Sequence, residues 1–393
     1  MQYKKISLVY LQANYKIFIN YKDFMHIKRT LYQTLQYYLE KKKVIIVYWA
    51  RQVWKTTLAK EIFKDKKYLY INWDEYTTRQ MLWDVSKVWL EKLVTGRDYI
   101  IFDEAQKIND IGTILKIIHE NFPEKRIIAT WSSSFELANK INEPLTWRKY
   151  EFTLYPLSVE EVSNNFNLIE MSSKIDDFLI LWMYPEIVAD YDKQSLKNLV
   201  NSYVYKDVLT FEKIKKSDEL VKLLQLLAFQ IGSEVSYNEL GQQCWLNSRT
   251  VEQYIQILEQ SFIIFRLPSY TFNQRNAIKK KKKIYFRDLG VRNTLINNIN
   301  PIHLRDDIGG LWENFVIVEL LKKMNNHLED ASVYFWKDKK AELDFIVSMN
   351  WELKWYEIKY TRNKSKNYQY IKDSLNLTSL EIINRDNIFD FIL

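Results

Sequence analysis

The sequence predicts a multidomain α/β protein that opens with a parallel sheet, and three observations predict it. Four short apolar runs, Val44–Val47, Tyr68–Asn72, Tyr99–Phe102 and Arg126–Thr130, have strand length and alternate with helical patterns. The first run passes through a polar turn into a helix led by Thr56 and Thr57. At 393 residues the chain is too long for one ordinary core, so roughly two to four domains are expected.

The stretch from Lys41 to Phe63, KKKVIIVYWARQVWKTTLAKEIF, organises the rest. Its strand–loop–helix layout is that of a P-loop, whose pattern is G-x-x-x-x-G-K-[ST]. Here the frame is Trp49, Ala50, Arg51, Gln52, Val53, Trp54, Lys55, Thr56, with Thr57 following. These nine residues are the nucleotide-binding candidates. The spacing is right, but both glycines are tryptophan. Glycines let the backbone turn tightly and bring its N–H groups against phosphate oxygens, so two indoles there should block a nucleotide.

Composition narrows the classes. Apolar content of 47% with 27% charged residues belongs to a globular protein, not a disordered one. No apolar run reaches the ~18–20 residues of a membrane span, so no membrane association is expected. The first residues do not read as a signal peptide, their apolar residues being interrupted by Gln12, Asn14, Lys16 and Asn20. The single cysteine, Cys244, excludes an internal disulfide framework and suits a cytoplasmic location. His26, His119, His303 and His327 are scattered, which argues against a His/Cys zinc site. The net charge of +8 permits a nucleic-acid partner and equally serves solubility. Residues 1–24 mix apolar and polar side chains without a period. They read as an extension upstream of a natural start at Met25, or as a flexible arm. Ile27, Leu31, Leu35 and Leu39 then repeat at helical spacing.

The run Tyr99–Phe102 ends in Asp103 and Glu104, about fifty residues after Lys55. An apolar strand ending in Asp-Glu is the form of a Walker B element. Its first carboxylate holds Mg²⁺, directly or through water, and its second polarises the attacking water. The run Arg126–Thr130 ends in Trp131 and then Ser132, Ser133 and Ser134. Ser132 is a candidate catalytic residue there, sensing the γ-phosphate or orienting water; the alternative is a serine-rich turn.

Four blocks, IIVYWARQVWKTTLAKEIF, YIIFDEAQKI, RIIATWSSSFELANKI and EPLTWRKYEFTLYPLSVEEV, together resemble one family. It is the prokaryotic AAA-type ATP-binding proteins with a C-terminal domain of unknown function. In that family the blocks read GARQVGKTT, IDEAQ, ATGSSSFELA and LTGRxxxFxLYPLSFEE. The resemblance runs from Met25 to the end of the chain. It implies ATP and Mg²⁺ as cofactors, Lys55 on the β- and γ-phosphates, Thr56 and Asp103 on Mg²⁺, and Glu104 as the water-positioning carboxylate. Arg148 falls where the family has Gly-Arg. It is either a sensor or finger toward a neighbouring subunit of a homo-oligomer, or a plain surface arginine.

The remaining domains are expected in order. Residues 25–157 form the ATPase domain and 158–216, mostly helical in pattern, a lid. Residues 217–287 read as three helices and a two-stranded ribbon, a winged helix-turn-helix. Asn247 caps the third helix, and Ser248, Arg249, Gln253 and Gln256 face outward as recognition residues. The run Lys279, Lys280, Lys281, Lys282, Lys283 lies on the wing. Such a module either binds duplex DNA, with the lysines neutralising phosphate, or contacts only a protein partner. Residues 288–393 resemble a PD-(D/E)xK, restriction-endonuclease-like α/β domain. Glu313 lies on a helix, Asp344 on one strand, and Glu357 and Lys359 on the same face of the next. Such a group can hold a hard cation with the lysine beside the attacking water. The bland reading is a hairpin with charges on its open face.

Three functions therefore compete: an ATP-driven switch docking on DNA or protein, an ATP-regulated nuclease, and a nucleotide-free binding protein. The third stands only if both P-loop tryptophans are genuine. Glycine numbers 7 and tryptophan 13 in 393 residues, whereas glycine is ordinarily ~7% of a protein. Trp49, Trp54, Trp131, Trp147, Trp182, Trp245 and Trp351 fall where a turn or the resemblance asks for glycine. Some bacterial lineages read UGA as glycine, and translation of UGA as tryptophan would leave this trace. Trp312 and Trp336 sit in apolar patterns and read as genuine; Trp73, Trp83, Trp89 and Trp355 are undecided.

Overall fold

Strand β1 (Val44–Trp49) is buried along its whole length, as a central parallel strand is when layers cover both faces. A computed structural model describes residues 27–49, 53–76, 78, 86–131, 144–181, 183–185, 193–202, 214, 216–271, 282–361, 368–375, 377 and 379–393. The extension 1–24, Ala50, Arg51, Gln52, Ser132, Ser133, Ser134, Trp182, Lys279, Lys280 and Lys281 lie outside the described residues.

Helix α1 (Leu31–Leu39) buries Leu31, Leu35 and Leu39 along one face and leads into β1. It begins four residues after Ile27, which is buried in a different apolar cluster. From β1 the chain runs through α2 (Lys55–Ile62), β2 (Tyr68–Asn72), α3 (Lys87–Val94), β3 (Tyr99–Asp103), α4 (Ile111–Asn121), β4 (Arg126–Trp131) and β5 (Lys149–Leu154). The sheet order is β2-β3-β4-β1-β5 and every pairing is parallel. Strand β4 thus lies between β1 and β3, so the C-terminal ends of all three meet at one edge. Ligands bind at that edge of open parallel sheets.

In the stretch expected to be helical come α5 (Val159–Ser163), α6 (Leu168–Ile180) and α7 (Lys193–Val200). Ser158 and Glu161 close a reciprocal capping box on α5, and Asn167 and Glu170 another on α6. Three more helices follow, α8 (Ser217–Phe229), α9 (Tyr237–Cys244) and α10 (Ser248–Gln260), with the short strand β6 (Glu234–Val235) between α8 and α9. The Asn247 side chain accepts the Thr250 N–H at 2.8 Å and so caps α10. Strands β7 (Ile264–Leu267) and β8 (Lys282–Phe286) pair antiparallel, and β6 adds to the other edge of β8. The ribbon is therefore a three-stranded sheet.

The last part holds α11 (Leu289–Leu295), the long α12 (Ile308–Asn326), β9 (Ala331–Lys337), β10 (Glu342–Met349), β11 (Glu352–Ile358), α13 (Tyr368–Leu375), β12 (Glu381–Ile383) and α14 (Phe389–Ile392). Its sheet is mixed, ordered β12-β11-β10-β9, with β11 and β12 the parallel pair. Asn350 and Trp351 form the two-residue turn between β10 and β11, with φ of +51° and +68°. Positive φ at both positions is the requirement of a type I′ turn, which favours Asn-Gly. Among the described residues no helix is long and apolar enough to cross a membrane.

Candidate active site

The loop between β1 and α2 brings Lys55, the first residue of α2, under the end of β3. Lys55 is ion-paired with Glu104, and its Nζ lies 3.5 Å from Asp103 Oδ1. Thr56 Oγ1 donates to Asp103 Oδ2 at 3.0 Å. Four sequence candidates, Lys55, Thr56, Asp103 and Glu104, are thus brought together. They line a cleft of about 350 Å³ with Trp49, Tyr70, Asn72, Asp74, Lys107, Leu199 and Ser202. Leu199 belongs to α7, so the helical region closes one side. Thr57, one residue on, is exposed on α2.

Three residues that sequence reasoning did not single out complete the site. Tyr70 OH donates to Asp103 Oδ2 at 2.6 Å, from the adjacent strand β2. The Thr130 hydroxyl donates to Asp103 Oδ1 at 2.6 Å and accepts the Glu104 N–H at 3.2 Å. Gln106 Nε2 donates to Glu104 Oε2 at 2.6 Å. Burial works to raise the Asp103 carboxyl, but Lys55 and the hydroxyls of Thr130, Tyr70 and Thr56 outweigh it, so its pKa is lowered. Ionised Asp103 beside the Thr56 hydroxyl is a pair of hard oxygen donors, which fits Mg²⁺ with water and phosphate completing its shell.

The tryptophans of the loop differ from one another. Trp49 ends β1 with its indole fully buried, and Lys55 Nζ stands 4.6 Å from its ring. Its indole N–H has no hydrogen-bond acceptor among the described residues, an unfavourable burial. Trp54 caps α2 in left-handed backbone at φ +60°, a conformation that costs a side-chain-bearing residue ~1–2 kcal/mol.

Arg148 is not brought to this site. It precedes β5, which starts beside Val44, so it lies at the opposite end of the sheet from the cleft. There it pairs with Glu120 at 2.9 Å.

On α10, Arg249, Gln253 and Gln256 are exposed and Ser248 is half-buried. Lys282 is half-buried, whereas Lys283 departs from the expectation of a solvated wing lysine: it is 1% exposed. The alternation of β8 turns it inward. Its Nζ contacts Glu313 Oε1 on α12 at 2.9 Å and is paired with Glu342 on β10. Tyr285, two residues on, donates to the same Glu313 oxygen at 2.5 Å. Burial disfavours the Lys283 ammonium, yet Glu313, Asp344 and Glu342 outweigh this and raise its pKa.

The C-terminal candidates do converge. Lys359 Nζ lies 2.8 Å from Glu357 Oε1 and 3.2 Å from Asp344 Oδ2, and the Ile358 N–H donates to that same Asp344 oxygen at 2.8 Å. Burial and the neighbouring Asp344 raise the Glu313 pKa. Two lysines, Lys283 and Lys359, therefore stand among the carboxylates. Among the described residues no group of three or more His, Cys, Asp or Glu side chains is arranged to hold a metal.

The parallel sheet and this cleft define the class, a P-loop NTPase-like fold with a separate mixed-sheet domain after it. Residues 41–163 match the model of the AAA domain. Residues 172–301 match Domain of unknown function (DUF8612), and residues 308–384 match Domain of unknown function (DUF4143). An uncharacterized protein of Haemophilus influenzae is 23% identical over 326 residues, 78% of each chain. One of Methanocaldococcus jannaschii is 22% identical over 357 residues, 84% of this chain and 77% of that one. One of Mycobacterium tuberculosis is 23% identical over 340 residues, 83% and 72%. Among solved structures, the Aeropyrum pernix ORC1 protein in complex with DNA gives a TM-score of 0.34 at 14% identity, over 68% of this chain and 91% of that one. A likeness of that size carries no inference about function.

Proposed function

We propose that this chain is a Mg²⁺-dependent ATPase acting as a nucleotide switch, with residues 217–287 as a winged-helix module that docks on DNA or a protein. The observation that carries the reading is the convergence of Lys55, Thr56, Asp103 and Glu104 at the C-terminal edge of a parallel sheet. Lys55 would neutralise phosphate charge, and Thr56 and Asp103 would hold Mg²⁺. Glu104, fixed by Gln106, would orient water. The AAA-domain match over residues 41–163 supports the same reading.

The reading includes glycine at positions 49, 54, 131, 147, 182, 245 and 351 of the encoded protein. Support comes from the backbone. Trp54, Trp147, Trp245 and Trp351 have φ of +60°, +64°, +59° and +68°. Trp49 and Trp131 end strands and are not left-handed, so at those two positions the reading rests on the resemblance; Trp73, Trp89, Trp312, Trp336 and Trp355 are not left-handed either. Left-handed backbone is where glycine is free and other residues are strained. The gene's codons test this: UGA at the seven positions and UGG at 312 and 336 are expected. UGG at 49 and 54 would make the tryptophans genuine and leave the loop without ATP.

ATP hydrolysis by the full chain carrying Trp49→Gly and Trp54→Gly, with and without duplex DNA, tests the function. Turnover that requires Lys55 is the expected result, and its absence under all conditions overturns the ATPase. A second reading, an ATP-regulated nuclease, is favoured by the approach of Lys359 to Asp344 and Glu357. Mg²⁺-dependent cleavage lost in Asp344→Ala and Lys359→Ala would select it.

A further inference from the structure

Arg29 lies just before α1 and is 5% exposed. Its guanidinium spreads over three acceptors. One terminal nitrogen donates to the Val53 carbonyl at 3.0 Å, the other to the Tyr155 carbonyl at 2.6 Å, and Nε donates to Glu161 Oε1 at 2.9 Å. Val53 belongs to the loop between β1 and α2. A trans peptide sets its C=O and N–H on opposite sides, so pinning the Val53 carbonyl turns the Trp54 N–H away from Arg29. Backbone N–H groups of this loop are what a phosphate needs.

The buried chain continues. Glu161, fully buried, also accepts the Thr30 N–H at 3.0 Å and the Ser158 N–H at 2.9 Å. One residue along, the Val159 N–H donates to Glu319 Oε2 at 2.6 Å. Glu319 Oε1 accepts from Lys322 Nζ at 2.7 Å, and Lys322 also donates to the Leu157 carbonyl at 2.8 Å. Glu319 and Lys322 are each 2% exposed and both lie on α12. Residues 155–161 are therefore held on one side by Arg29, which grips the loop, and on the other by α12. The Arg29–Glu161 and Glu319–Lys322 pairs take four charges out of water, and packed apolar side chains would serve stability as well. In some proteins such pairs serve instead to fix one geometry.

We propose that Arg29 is a positioning residue of the phosphate loop, and that residues 155–161 carry the loop's state to α12. This rests on the ATP-binding reading. The same helix carries Glu313, six residues before Glu319, in the C-terminal carboxylate cluster, so the link joins the nucleotide to that domain. Coupling of this kind is reciprocal: a change at α12 alters nucleotide affinity.

The test compares the full chain carrying Trp49→Gly and Trp54→Gly, as parent, with two variants of it. One adds Arg29→Lys, which keeps the charge and loses the fork. The other adds Glu319→Gln and Lys322→Met, neither of which lines the cleft. Calorimetric titration with Mg·ATP is expected to show the Kd raised at least about fivefold in each. Hydrogen exchange is expected to show residues 308–326 protected by ATP in the parent and unprotected by it in both variants. Should the double variant fail to fold, Arg29→Lys alone decides by the same two readouts. Unchanged Kd in variants of a parent that binds ATP, or exchange in 308–326 that ignores nucleotide in that parent, overturns the coupling alone. A parent that binds no ATP overturns the ATPase reading and the coupling with it.

Discussion

Thr56 and Asp103 are forty-seven residues apart in sequence and share a hydrogen bond of 3.0 Å. The first lies in the opening turn of α2 and the second ends β3, with β4 between β1 and β3 in the sheet. Their contact ties the two sequence motifs into one site and sets out a division of labour within it.

That division predicts different losses. Lys55→Ala should weaken Mg·ATP binding about tenfold or more, ~1.4 kcal/mol, because in the proposed ATPase the lysine would act on bound phosphate. Glu104→Gln should keep binding and slow hydrolysis about 100-fold or more, because in the proposed ATPase the glutamate would act on water. Calorimetry and steady-state turnover separate the two. Unchanged turnover in both variants would mean that hydrolysis occurs elsewhere.

The burial of Lys283 predicts a stability effect where a wing lysine would give a binding effect. Lys283→Met leaves Glu313 without its cation and Glu342 with Lys337 alone, and should lower stability by about 3 kcal/mol in urea unfolding. Lys282→Met, at a half-buried neighbour, should stay within about 0.5 kcal/mol. Equal stability of the two variants would contradict the buried pairing.

The turn at Asn350 and Trp351 predicts a stabilising substitution. The Trp351 side chain is fully exposed, so Trp351→Gly removes no buried surface and relieves a left-handed residue. A gain of about 1 kcal/mol is expected. Trp312→Ala, from a fully buried position, should instead lose about 3–5 kcal/mol. Thermal unfolding of both variants checks the contrast, and destabilisation by Trp351→Gly would contradict it.

Asp307 predicts a pH dependence. Burial works to raise its pKa, but Arg305 and Arg292 overcome this and hold it at about 2, below the ordinary 3.8. A depressed carboxylate contributes stability that is present above 3.8 and lost as pH falls through about 2. The amount is about 2 kcal/mol. Asp307→Asn should flatten the acid limb of a urea-unfolding series between about pH 4 and 2. An unchanged limb would show that the two arginines do not act on it.

The parts legible in sequence were those set by local pattern. Strands β1, β3 and β4 are continuous apolar runs because they are buried inside the sheet, and Asp103 follows from the run that ends in it; β2, at an edge, is mostly half-buried and is legible through its tyrosines and aliphatic residues. Strand β5 (KYEFTL) alternates with polar residues, since it pairs only with β1 at an edge, and reads poorly as a strand. Thr130 was hidden inside an apolar run, although its hydroxyl fixes Asp103. Arg29 and Lys283 show the limit most plainly. Each is one cation in a basic stretch, and its burial is decided by carboxylates far along the chain, Glu161 for one and Glu313 for the other. The place of Arg148 depended on strand direction: a residue before a parallel strand lies at the end opposite the cleft.

The most direct measurement is calorimetric titration of Mg·ATP into the full chain carrying Trp49→Gly and Trp54→Gly, alongside the same chain with Lys55→Ala. Saturable binding of one nucleotide per chain, weakened about tenfold or more by Lys55→Ala, is expected. No binding by the first chain, or equal binding by both, would contradict the proposed ATPase.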